Sequence, residues 1–139
     1  DRILDNIKQR CENDNELLSD IESVVRGDKL EYTPELPSLW IYTQPLTPSH
    51  NNTALKEEWI MPVVLEVVTE ENNNAQEGYR RSTQLASKAR SAVLKDRKLG
   101  LKNVANILSG EFHPSGPGLR KNNYFSSMAV VNVRFFTFE

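Results

Sequence analysis

An α+β fold is predicted: a mainly antiparallel β-sheet with two helices packed on one face, in the order α-β-β-β-α-β-β. Three observations predict it. Two stretches carry apolar residues at helical spacing, one at the N-terminus and one in the middle of the chain. Five others are β-branched and aromatic, and the longer ones alternate between apolar and polar positions. Most consecutive strand-like stretches are joined by loops rather than helices, which makes antiparallel neighbours the natural outcome.

Ile3, Leu4, Ile7 and Cys11 form one helical stripe over residues 2–12. Asn13, Asp14 and Asn15 interrupt it, and Leu17, Leu18 and Ile21 resume an apolar pattern, so a broken helix, or a helix plus a short turn, is expected over 2–21. Residues 22–26 turn β-branched before the Gly27-Asp28 turn signal and read as a short strand. Pro34 and Pro37 bracket a loop, and Ser38 to Gln44 (SLWIYTQ) is the next strand. Trp59 to Glu70 (WIMPVVLEVVTE) is the strongest strand signal. Trp59, Met61, Val63, Leu65 and Val67 give one wholly apolar face, while Glu66 and Glu70 lie on the other. Pro62 has no amide hydrogen for a ladder, which argues for a bulge or an edge position there.

Gln76 to Leu94 is predicted helical, with Leu85, Ala89, Ala92 and Val93 as its apolar stripe and Ala86 widening it. Small residues on that stripe would let the helix sit close to a sheet. A short strand at 103–108 follows. The last strand, 125–138, has Ala129, Val131, Val133 and Phe135 on one face and Asn132 and Arg134 on the other. Two long loops remain, at about 44–57 and 109–124. They are candidate docking arms, because a domain of this size rarely carries two such connections without a use. His50, Asn51 and Asn52 lie in the first, and His113, Arg120 and Lys121 in the second.

The 139 residues fit one domain, 1–139, large enough to bury a core. Apolar residues make up 38%, a modest share that leaves part of the burial to neighbouring copies. The longest uncharged apolar run, Trp59 to Leu65, is far short of the roughly 20 residues of a membrane helix. No signal-peptide pattern opens the chain, and Asp1 stands where a methionine would, leaving the native N-terminus open. The net charge of −2 is a cancellation: residues 1–79 hold 16 acids and 6 bases, and residues 80–139 hold 11 bases and 3 acids. So polarised a chain is expected to present an asymmetric surface.

Catalytic chemistry is hard to find. Cys11, the single cysteine, excludes an intrachain disulfide, and its place on an apolar stripe makes it a small core residue rather than a nucleophile. His50 and His113 have no second ligand at metal spacing. Glu57-Glu58 and Glu70-Glu71 are adjacent pairs, which point to opposite faces of a strand and cannot share one site. Gly116-Pro117-Gly118 lacks the Lys-Ser/Thr of a phosphate loop. Asn51-Asn52-Thr53 matches a glycosylation acceptor, with nothing marking the chain as secreted. No enzyme, cofactor or metal is therefore expected.

The basic stretch is the sharpest feature. Arg80, Arg81, Lys88, Arg90, Lys95, Arg97, Lys98 and Lys102 face one local acid, Asp96. Three readings stay open: a nucleic-acid-binding surface over 80–102, short of stacking aromatics apart from Tyr79; an interface with an acidic protein surface, such as the acidic half of another copy; or an ordinary solvated helix face.

The layout resembles the tail terminator (tail completion) proteins of long-tailed bacteriophages. The likeness rests on Ile3 to Lys8 in the first helix, Val24 to Gly27, the proline-led strand Leu36 to Tyr42, the central strand Glu58 to Leu65, and the helix Leu85 to Leu94 with its exit at Asp96, Leu99 and Gly100. The resemblance implies a small α+β virion subunit forming a homo-oligomeric ring, a hexamer. Such a ring caps the head-proximal end of the tail tube, stops its growth and binds the head connector or stopper protein. DNA would pass through the lumen without specific binding. Assembly in the host cytoplasm and residence in the virion neck are implied as well, with no membrane involved. The family's interface residues are not carried over, so Arg80, Arg81, Lys88, Arg90, Lys95, Arg97 and Lys98 stand as candidate contacts from charge alone.

Overall fold

The computed structural model describes residues 2–14, 21–26, 37–45, 47–48, 56–71, 75–95, 104–113 and 124–138. Its elements are α1 (Arg2–Asn13), β1 (Ser23–Arg26), β2 (Ser38–Thr43), β3 (Thr47–Pro48), β4 (Lys56–Glu70), α2 (Ala75–Leu94), β5 (Val104–His113) and β6 (Tyr124–Phe138). The longer elements follow the expected order, and the two-residue β3 is an addition within the segment read as the first loop. The sheet runs β1-β2-β4-β6-β5, with β3 alongside β4. Only β1 and β2 are parallel; β2–β4, β3–β4, β4–β6 and β5–β6 are antiparallel.

The centre of the sheet is the β4–β6 pair, in register from Lys56↔Phe138 to Glu70↔Tyr124. The apolar period-2 face of β4 (Met61, Val63, Leu65, Val67) is buried, and Ala129, Val131 and Val133 of β6 continue it. Both helices cover this one face. α1 contributes Ile3, Leu4, Ile7 and Cys11, and α2 contributes Leu85, Ala86, Ala89, Ala92 and Val93, to a single cluster with Leu39 and Ile41 of β2. α1 lies over β1 and β2, and α2 over β4 and β6. β4 begins three residues before the expected Trp59, at Lys56. The charged Lys56-Glu57-Glu58 reads as loop by composition, yet β6 runs long enough to pair with it, and tertiary pairing overrides propensity.

Pro62 sits in the central strand, neither at an edge nor in a bulge. Its carbonyl accepts a bond from the Gln44 amide at 3.0 Å, so its missing N–H also faces the β2 side. There the neighbouring strand is interrupted: β2 ends at Thr43 opposite Val63, and β3 resumes at Thr47 opposite Ile60. The proline therefore costs no ladder bond to β6.

The first helix ends at Asn13, and Ile21 rejoins the core as a buried residue. Leu17 and Leu18, expected to continue the helical pattern, lie outside the described residues. β5 runs five residues past Leu108, through His113, into the segment read as the second loop. The ladder to β6 crosses this stretch by a register shift between Ser109 and Phe112. Gly110 lies within the shift. A Cβ there would stand 2.9 Å from the Val130 carbonyl oxygen and 3.0 Å from Asn132 Nδ2, so the bulge needs a residue without a side chain.

Small residues line the contact between α2 and the sheet: Ala86, Ala89 and Ala92 of the expected stripe are buried, and Gly78 and Ser82, which the stripe did not include, join them. Ser82 of α2 meets Ser127 of β6 at 3.0 Å between hydroxyls, and both are fully buried. One turn earlier, a Cβ on Gly78 would overlap the Phe125 ring, standing 2.9 Å from its Cζ and closer to two other ring carbons. Phe125 is 4% exposed and has nowhere to swing. Alanine normally stabilises a helix relative to glycine by up to about 1 kcal/mol, and overpacking costs about 1–3 kcal/mol. Gly78→Ala is thus expected to destabilise by about 1–2 kcal/mol in urea unfolding. In a Phe125→Leu background the same change should be neutral or stabilising; additive effects in the double variant would exclude the ring as the cause.

Candidate functional site

Helical geometry sorts the candidate cations before any contact is considered. At about 100° per residue, Arg81 and Lys88 are about 20° apart around α2, whereas Arg90 is about 200° from Lys88. The structure follows this division. Arg81 and Lys88 are exposed on one flank, beside a shallow cavity of about 250 Å³ also lined by Glu77, Arg80, Gln84 and Leu85. Arg90 is on the other flank, half-buried, with its guanidinium carbon 5.2 Å from the centroid of the Phe112 ring of β5. That position is a cation–π contact that pins α2 to the sheet edge.

Two further cations are occupied within the chain. Arg80 donates from Nε to Glu77 Oε2 at 3.0 Å and from Nη1 to Gln84 Oε1 at 3.1 Å, and its Nη2 pairs with Glu77 Oε1. The hydrogen bonds from Arg80 hold the Glu77 carboxyl below its ordinary pKa, with the charges of Arg80 and Arg81 adding to the effect. Lys95 donates to Asp14 Oδ2 at 2.6 Å, joining the C-terminal ends of the two helices. This pair edges an open groove of about 650 Å³ between the helices, with Asn6, Gln9, Arg10 and Asn13 on one wall. The two charge halves of the sequence are therefore tied together in places within one copy.

The remaining candidates divide simply. His113 is exposed at the end of β5, on a strand rather than a docking loop, with Nε2 2.9 Å from Glu111 Oε2. Arg97, Lys98, His50, Asn51, Asn52, Arg120 and Lys121 lie outside the described residues. Cys11 is fully buried in the core, where burial first, and Asp14 and Glu12 second, push its thiol up to about 12. A nucleophile must be thiolate, so this position is structural. Among the described residues, no three His, Cys, Asp or Glu side chains gather at metal-binding distance, and no helix is long and apolar enough to cross a membrane.

One cluster escaped the sequence reading. On the sheet face opposite the helices, Tyr42 donates to Glu66 Oε1 at 2.7 Å and Ser126 donates to Glu66 Oε2 at 2.6 Å. The sulfur of Met128 lies 3.6 Å from the Tyr42 hydroxyl. Burial, then the hydrogen bond to Glu66, raises the Tyr42 pKa and keeps it a donor. Beside it, Trp40 donates from Nε1 to Ser38 Oγ at 2.7 Å. Register alone assembles the group, since Glu66 stands opposite both Trp40 and Met128 across neighbouring strands. Sequence separations of 24 and 60 residues leave no local signal for it. A second unread pair, Arg26 with Asp5 at 2.8 Å, secures α1 to β1 on the helix-covered face.

These features define an α+β domain with charged and aromatic surfaces but no gathered catalytic group among the described residues. The same fold recurs in solved structures, of which 27 chains match. One is a chain from the structure titled virion of native gene transfer agent (GTA) particle: the TM-score is 0.68 at 10% identity, with 94% of this chain and 92% of that chain covered. At that identity the likeness is one of fold. No protein-family model and no curated protein matches the chain.

Proposed function

We propose that the chain is a structural virion protein of a phage-like particle and, within that class, a tail terminator. Its copies form a closed ring, a hexamer, that caps the head-proximal end of the tail tube and joins it to the head connector. DNA passes through the lumen without specific binding. The observation that carries this reading is the reciprocal coverage: a chain of a virion particle shares the fold over 94% of this chain and 92% of that one. The sequence layout described above supports the finer assignment independently of that likeness. So does the charge polarity along the sequence, acidic in the first 79 residues and basic after them, which suits head-to-tail pairing in a ring.

The test is the mass of the purified protein in solution, alone and with tail tube protein, together with negative-stain images. A ring of six copies that sits on one end of the tubes is expected. A strict monomer that ignores tube and connector proteins would sink the proposal.

A further inference from the structure

Resting on the ring reading, we infer that the sheet face opposite α1 and α2 is the seat for helix α2 of a second copy, with Glu66 receiving the cations of that helix. The face is built like a contact surface. Trp40, Tyr42 and Met128 are half-exposed around the one acid at its centre, and aromatics and methionine are enriched where proteins meet. Tyr42 and Ser126 each hold one oxygen of Glu66, which fixes the carboxylate in direction. A carboxylate has about four acceptor positions, so each oxygen keeps capacity for a further donor. A guanidinium or ammonium group arriving from outside would complete the set with charge-assisted bonds.

The complementary surface lies on the opposite side of the same domain. Arg81 and Lys88 are exposed on one flank of α2, about 10 Å apart along the helix axis. α2 covers the face formed by Leu65, Ala129 and Val131, and Glu66 is on the other face. The sheet separates the two patches, so they cannot meet within one copy. They meet only between copies, and the contact is heterologous: the helix layer of one subunit against the Glu66 face of the next. Each copy then has one donor surface and one acceptor surface, the arrangement that forms a ring when the rotation between copies closes.

Complementary charge reversal tests it, with assembly read by analytical ultracentrifugation and folding by thermal melting. Glu66→Arg alone, and Arg81→Glu with Lys88→Glu, should each weaken assembly by about tenfold or more while leaving a folded monomer. Combining all three reversals should restore rings. Mixing the two monomeric variants should restore assembly with the two variants alternating, because the natural charge pair forms at one junction and the reversed pair at the next. Glu66→Gln keeps the shape of the Tyr42 network and should also weaken assembly, which guards against a folding defect in the arginine variant. If rings form in the unaltered protein but ignore Glu66→Gln and Glu66→Arg, or if the folded triple variant stays monomeric, the seat is wrong and the ring reading stands. If the unaltered protein is monomeric, both fall.

Discussion

Leu65→Ala is expected to lower stability by about 3–4 kcal/mol, and the melting temperature by roughly 12 °C at fixed protein concentration. Leu65 is fully buried in β4, between Ile41 of β2 and Ala129 of β6, beneath both helices. Loss of three carbons removes transfer free energy and leaves a cavity that a pleated sheet on one side and two helices on the other cannot close. Val68, three residues on, is half-buried on the other face of the strand. Val68→Ala should therefore cost about 1 kcal/mol or less. Urea unfolding of the two variants checks both values. Equal costs would mean that the two faces of β4 are buried alike, and a larger cost at Val68 that they are assigned the wrong way round.

Alkaline pH is expected to remove roughly 4 kcal/mol of stability through Cys11 alone. In the unfolded chain the thiol ionises near its ordinary value of 9.0, while in the fold it stays protonated to about 12. A raised folded-state pKa gives stability that is complete below pH 9 and lost as pH climbs toward 12, because the unfolded chain gains a stabilised thiolate and the native chain does not. Tyr42, also raised, adds loss in the same direction above pH 10. Urea midpoints measured from pH 8 to 12 should fall steeply for the natural sequence and less for Cys11→Ala, whose curve lacks the thiol. A disulfide reagent should label Cys11 slowly in the fold and rapidly in urea. Labelling at equal rates in both would contradict its burial.

Periodicity carried much of the fold. The apolar stripes of α1 and α2 and the alternating faces of β4 and β6 name most of the core, because these patterns arise from burial itself. Patterns failed where pairing rather than burial decided. Lys56, Glu57 and Glu58 are strand because β6 reaches them, and Ser109 to His113 because a bulge carries the ladder through residues with no clean alternation. The site was legible in smaller part. Helical geometry already divides Arg90 from Arg81 and Lys88. That Lys95 is taken by Asp14 depends on how two helices cross, and nothing near Glu66 in the chain announces Tyr42 or Ser126.

The kink at Ser109–Phe112 has a consequence for life at high concentration. β5 is a rim of the sheet, and a straight ten-residue rim would offer its unpaired backbone groups to any other chain. Two such rims meeting would extend the sheet from one molecule to the next, a route to aggregation. The bulge at Gly110 spoils that template halfway along, and Glu111 places a charge beside the break. A residue with no side chain, in a stretch with little sequence pattern, thus keeps the sheet from growing past this rim.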